Sequence, residues 1–152
     1  MREILFRGKR LSDGGWSYGN LRIANTGVTI IVPNDTPLGK YGKVDPETVC
    51  QFTGLTDKNG NKIWENDVCQ YIDSDGYETE FVVKYGRHEG QHGINLGFYI
   101  EWSEMDGYRE DICFWAEERD IEVIGNIFDN HKLAEEVRPK KLDQPKEERK
   151  EE

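Results

Sequence analysis

Two histidines four positions apart, His88 and His92, are the residues in this sequence whose spacing first invites a chemical reading. On one face of a helix such a pair can share a metal ion. Here Gly90 and Gly93 interrupt the segment, no cysteine lies close by, and no HExxH pattern is present. The expectation is a loop carrying two surface histidines, without a metal. Cys50, Cys69 and Cys113 are too far apart to form a CxxC pair. Cys69 and Cys113 sit inside apolar runs and read as core thiols of strands. None of His88, His92 and His131 is placed by position to serve a cysteine nucleophile as base. Acid pairs such as Glu110-Asp111 and Glu117-Glu118 could move protons. In a chain with 30 Asp and Glu residues, however, neighbouring acids are what a solvated face contains. Neither GxxxxGK[ST] nor a GxGxxG following a strand occurs, so no phosphate-cradling loop is recognisable. The residues point away from an enzyme, and no catalytic residue, metal or cofactor is assigned.

Aromatic residues are the better lead. Trp16, Tyr18, Trp64, Tyr99, Trp102, Tyr108 and Trp115 are many for a small acidic chain. Trp102 and Trp115 read as core. Trp16, Trp64 and Tyr108 border glycine or charged turns and are expected to be partly exposed, lining a groove with Tyr18. Arg2, Arg7, Lys9 and Arg10 beside Trp16 and Tyr18 form the one basic cluster next to aromatics, the place for a small nucleotide ligand if the chain sequesters one. Charge supplies a second candidate surface. Residues 1–43 hold seven Lys/Arg and three Asp/Glu, whereas residues 44–134 hold seven and twenty. The segment 101–122 sets nine acids against Arg109 and Arg119. So acidic a body repels phosphate backbones, which disfavours general DNA binding. Glu104, Asp106, Glu110 and Asp111 would instead present a face to a basic partner, or mimic nucleic acid.

The elements that must carry these residues read as all-β. Sixteen Gly punctuate short apolar runs. Asn59-Gly60 between Phe52, Leu55 and Ile63, Trp64 is the sequence of a tight hairpin, read as a type I′ turn. Glu65-Asn66-Asp67 makes a second turn into a strand over 68–72. Strands are further expected at 3–8, 16–23 and 28–32, and over 77–85, where Tyr77, Thr79, Phe81, Val83 and Tyr85 alternate with polar residues. Residues 87–97, rich in glycine, read as a loop, followed by a strand at 98–102. Residues 112–116 are a short apolar run, and 121–128 the last strand, with Gly125 at a bulge or a close backbone approach. Asp129 or Asn130 could cap a short helical turn ending at Leu133. No apolar run reaches the ~18 residues a membrane span needs. Between charges, MREILFRGKR offers only Ile4-Leu5-Phe6, short of the roughly 7–15 apolar residues of a signal peptide. The expected location is the cytoplasm, without membrane contact.

Several motifs resemble those of the YopX family, small proteins of phages and prophages of Gram-positive bacteria. They are FRGK at Phe6–Lys9, WSYGNL from Trp16, VDPETVCQFTGL leading into the central hairpin, and IEVIGNIFDN at 121–130. Asn66 stands where the family tends to have Gly, and Cys50 where a small residue is usual. The resemblance implies a small SH3-like barrel or roll and no established chemistry. With it, the chain divides into N-terminal strands at 1–43 that pack on or extend the barrel, a YopX-like core at 44–134, and a charged tail at 135–152. The tail has almost nothing to bury and reads as disordered. The function that follows is that of a phage or prophage accessory protein, a non-catalytic module for protein binding or assembly, with homo-oligomerisation left open.

Overall fold

The computed structural model describes residues 1–34, 42–90, 93–102 and 109–130. Its strands form two antiparallel sheets. The first contains β1 (Phe6–Lys9), β2 (Trp16–Ile23), β3 (Thr29–Val32), β4 (Gly42–Lys43), β5 (Cys50–Thr56) and β6 (Lys62–Trp64), in the order β4-β3-β2-β1-β5-β6. The second contains β7 (Asp67–Ile72), β8 (Glu78–Gly90), β9 (Gly93–Trp102), β10 (Arg109–Asp111) and β11 (Glu122–Asn126), in the order β10-β9-β8-β7-β11. The all-β expectation holds. Neither sheet closes on itself, so the described residues make a pair of open sheets and not a closed SH3-like barrel. The line drawn at residue 43 falls inside the first sheet, because β1 pairs with β5 as well as with β2.

The central hairpin forms where expected, with a different turn. Gly60 has φ +80°, but Asn66 is the sole non-glycine residue with positive φ among the described residues, so Asn59 does not adopt the type I′ conformation. The loop is built instead around Asp57. Its backbone N–H donates to Asn61 O (2.8 Å) and its carbonyl accepts from Gly60 N (3.0 Å). Its Oδ1 accepts from the N–H groups of Asn59 (2.9 Å) and Asn61 (2.8 Å). This is a three-residue hairpin loop with glycine at the left-handed position, locked by an aspartate that mimics a turn. Asp73 does the same for the β7–β8 hairpin, accepting from Asp75 N and Tyr77 N. Asn66, at φ 66°, turns the chain from β6 in one sheet to β7 in the other. The bulge expected at Gly125 is present as a register shift between Val123 and Gly125.

The largest core lies on one face of the second sheet. Cys69, Phe81, Val83, Ile100 and Ile121 are buried there with Ile63 and Ile112. Across it lies α1 (Ile112–Glu118), where the sequence offered only an apolar run. Asp111 caps this helix, its carboxylate accepting from Cys113 N at 2.8 Å. Ile112, Trp115 and Ala116 fall at i, i+3 and i+4 and turn inward, with Trp115 centred 4.7 Å from Trp102. Trp102 and Trp115 are thus partly buried, packed against this core. Cys113 is not: helical spacing puts it on the outer face, where it is exposed. The expected loop at 87–97 is also absent as such, since β8 runs to Gly90 and β9 starts at Gly93. None of the described helices is long and apolar enough to cross a membrane.

Candidate functional site

One face of the first sheet gathers most of the aromatic lead. Period-2 alternation puts Arg7 and Lys9 of β1 on the same side as Trp16 and Tyr18 of β2, and register sets Arg7 opposite Tyr18 and Lys9 opposite Trp16. On the other flank of β1, β5 and β6 contribute Phe52 and Trp64, which are paired in register. Arg7 is the centre of this face. Its guanidinium carbon lies 4.5 Å from the Trp16 ring centroid and 5.2 Å from that of Trp64. Its Nη2 donates to Asp67 Oδ1 at 2.6 Å, and Asp67 Oδ2 accepts from Trp64 N at 2.8 Å. The Asp67 side chain is 1% exposed. Burial raises its pKa to about 6, against the opposing pull of Arg7 and the Trp64 N–H, so the carboxylate prevails at neutral pH.

Trp64 is buried, contrary to the partial exposure expected of it, because Leu5 and Phe52 cover it. Tyr18 lies on top, its ring 5.4 Å from Trp64 and 47% exposed. Trp16, half-buried, meets Phe128 edge-on at 6.0 Å and donates from Nε1 to Asp129 Oδ2 at 2.7 Å. Asp129 also pairs with Lys9. Against the raising effect of burial, hydrogen bonds from Asn126, Lys9 and Trp16 bring Asp129 down to about 2. The surface is therefore an aromatic platform with three of its cations committed: Arg7 to Asp67, Lys9 to Asp129, and Arg10 to Asp13.

The other candidate residues are distributed differently. Tyr108, Glu104, Asp106, His92 and His131 lie outside the described residues, as does the tail. Glu110 and Asp111 are consecutive on β10, opposite Ile100 and Tyr99, and so face opposite sides of the sheet. Glu110 accepts from Trp115 Nε1, and Asp111 caps α1. Glu101 lies between Lys84 and Arg109, and Glu122 pairs with Lys58 at 3.0 Å. Each of these acids has a partner within the fold; by register Glu101, Asp111 and Glu122 lie on the side of the second sheet away from its core, and Glu110 on the other. His88, expected on a surface loop, is 2% exposed within β8, its ring 4.8 Å from that of Tyr99. Its Nδ1 lies 3.2 Å from Gly86 O. Burial pushes the Cys50 thiol up and Cys69 well up, and raises Cys113 with help from Asp111. All three shifts run against an activated thiolate. Among the described residues no group of His, Cys, Asp and Glu could hold a metal ion.

Two members of the aromatic face escaped the sequence reading, Phe52 and Asp67. Phe52 could have been found by alternation within β5. Asp67 pairs with a residue 60 positions away, and nothing local announces it.

The geometry defines a small protein of two open antiparallel sheets, carrying an aromatic face clamped by a buried ion pair. The YopX protein family matches residues 9–135, and the chain belongs to that family. Among solved structures, the crystal structure of protein EF1440 from Enterococcus faecalis is similar. Its TM-score is 0.55 at 22% identity, over 88% of this chain and 99% of that one, a likeness of fold. No curated protein matches the sequence.

Proposed function

We propose that the chain is a non-catalytic protein-binding module, an accessory protein of a phage or prophage, that meets its partner through the aromatic face of the first sheet. One observation carries this reading. Tyr18 holds out a half-exposed ring on a base of Trp64, Arg7 and Asp67 that is already ordered. Interface hot spots are enriched in Trp, Tyr and Arg, and a platform fixed beforehand loses little entropy on binding. The acidic-mimic reading draws less support, since Glu101, Glu110, Asp111 and Glu122 are engaged within the fold. Nucleotide sequestration is disfavoured by the commitment of Arg7, Lys9 and Arg10 to carboxylates.

The test is affinity capture from host lysate with wild-type protein and Tyr18→Ala, whose side chain is exposed enough for the fold to survive its loss. A partner retained by the wild type and lost by Tyr18→Ala, at an unchanged melting temperature, is the expected result. The same partners on both proteins would show that binding occurs elsewhere.

A further inference from the structure

The β8–β9 hairpin outgrows its sheet. β7 pairs with β8 only as far as Val68 opposite Val82, and β10 pairs with β9 only as far as Asp111 opposite Tyr99. Among the described residues, the pairs from Tyr85–Phe98 to Gly90–Gly93 therefore have no further strand paired to them and form a two-stranded arm. Its glycine face is covered, since a Cβ at Gly90 would lie 3.6 Å from Arg109 O and His88 is 2% exposed. One of its faces continues the core. Phe81 and Trp102, then Val83 and Ile100, lead outward to Tyr85 and Phe98, whose rings are 5.0 Å apart. Beyond them on the same face come Arg87 opposite Leu96 and Glu89 opposite Ile94. Leu96 is 73% exposed, Ile94 58% and Tyr85 51%.

We propose that this face is an interface between two copies of the chain, packed arm against arm about a two-fold axis. Charge selects this occupant. At a formal net charge of −10, two copies repel over most of their surface. The arm segments 85–90 and 93–98 carry only Arg87 and Glu89, which cancel. A two-fold axis perpendicular to the strands makes that pair self-complementary. It sets Arg87 against Glu89 of the second copy, and the same operation sets Leu96 against Ile94 of the second copy. Arg87, Glu89, Ile94 and Leu96 from each copy make an interface below the ~1,200 Å² of stable complexes, so the dimer is weak and depends on concentration. This surface is separate from the aromatic face around Tyr18.

Sedimentation velocity over a range of protein concentrations tests the proposal. The wild type should pass reversibly from monomer to dimer, and Leu96→Glu should stay monomeric with an unchanged melting temperature. Arg87→Glu and Glu89→Arg should each weaken association about tenfold, by replacing two attractive pairs with two repulsive ones. The double variant Arg87→Glu/Glu89→Arg should restore it. A wild type that is monomeric throughout, a dimer indifferent to Leu96→Glu, or a double variant as weak as the single ones would each overturn the proposal.

Discussion

Asp57 is the residue whose loss should be felt farthest from its own position. It is 6% exposed and lies in the β5–β6 loop. Its Oδ1 serves two loop N–H groups, and its Oδ2 accepts from Val123 N in β11 at 3.0 Å. Asp57→Ala orphans these three backbone donors. Those of Asn59 and Asn61 belong to exposed residues and can turn to water, but Val123 N, on the outer edge of β11, is half-buried against Asp57. A buried donor left unpaired costs about 1–3 kcal/mol. With the weakened turn, the expected loss is roughly 2–4 kcal/mol. Asp57→Asn separates the two roles. Its single oxygen can keep the loop donors, leaving an amide N–H facing that of Val123, for a loss of about 1–2 kcal/mol. Urea unfolding followed by tryptophan fluorescence gives both values. Hydrogen exchange at the Val123 amide should speed up in both variants. If both lie within about 0.5 kcal/mol of the wild type, the level of an ordinary surface substitution, the reasoning is refuted.

Arg7→Met should cost about 3–5 kcal/mol by leaving the Asp67 carboxylate buried without its cation, and adding Asp67→Leu should recover much of that loss in the same unfolding assay. Asn66→Ala should cost roughly 1–2 kcal/mol for its left-handed backbone, while Asn66→Gly, free of that penalty, should stay near the wild type. Asp129 predicts an acid limb. Its folded pKa of about 2 lies below the usual carboxylate value, so the stability it contributes is present above pH ~4 and is lost as pH falls through ~2. Stability measured between those values should decline less in Asp129→Asn than in the wild type.

What the sequence disclosed was local. Turn signals and β-branched residues placed β2 and β3, alternation placed the first part of β8, and Asn59-Gly60 marked the hairpin. The turn type was hidden because it depends on which carboxylate satisfies the loop N–H groups, and Asp57 does so from outside the dipeptide. The arm was read as a loop because glycine usually interrupts strands. Here Gly86, Gly90, Gly93 and Gly97 lie on the face opposite Tyr85 and Leu96, and pairing continues through them. The helix at 112–118 is too short to show a period, and Asp111 as its cap was indistinguishable from any other acid. On the aromatic face, Trp16 and Tyr18 were legible by type. Burial of Trp64 was not, because it requires Leu5 and Phe52 to arrive from other strands.

Several joins that hold the two sheets together link distant parts of the chain. Arg7 meets Asp67, Asp57 meets Val123, and Lys9 and Trp16 meet Asp129. Loop-closure entropy must be spent before such contacts return anything, so folding belongs to the slow, millisecond-to-second range of non-local β proteins. During synthesis, at about 5–20 residues per second, Trp16 and Lys9 wait several seconds for Asp129. Until then their face of the first sheet is open. The strands of this chain are therefore translated one by one but acquire their mutual support together, and a nascent chain halted short of β11 would carry its aromatic face unsealed.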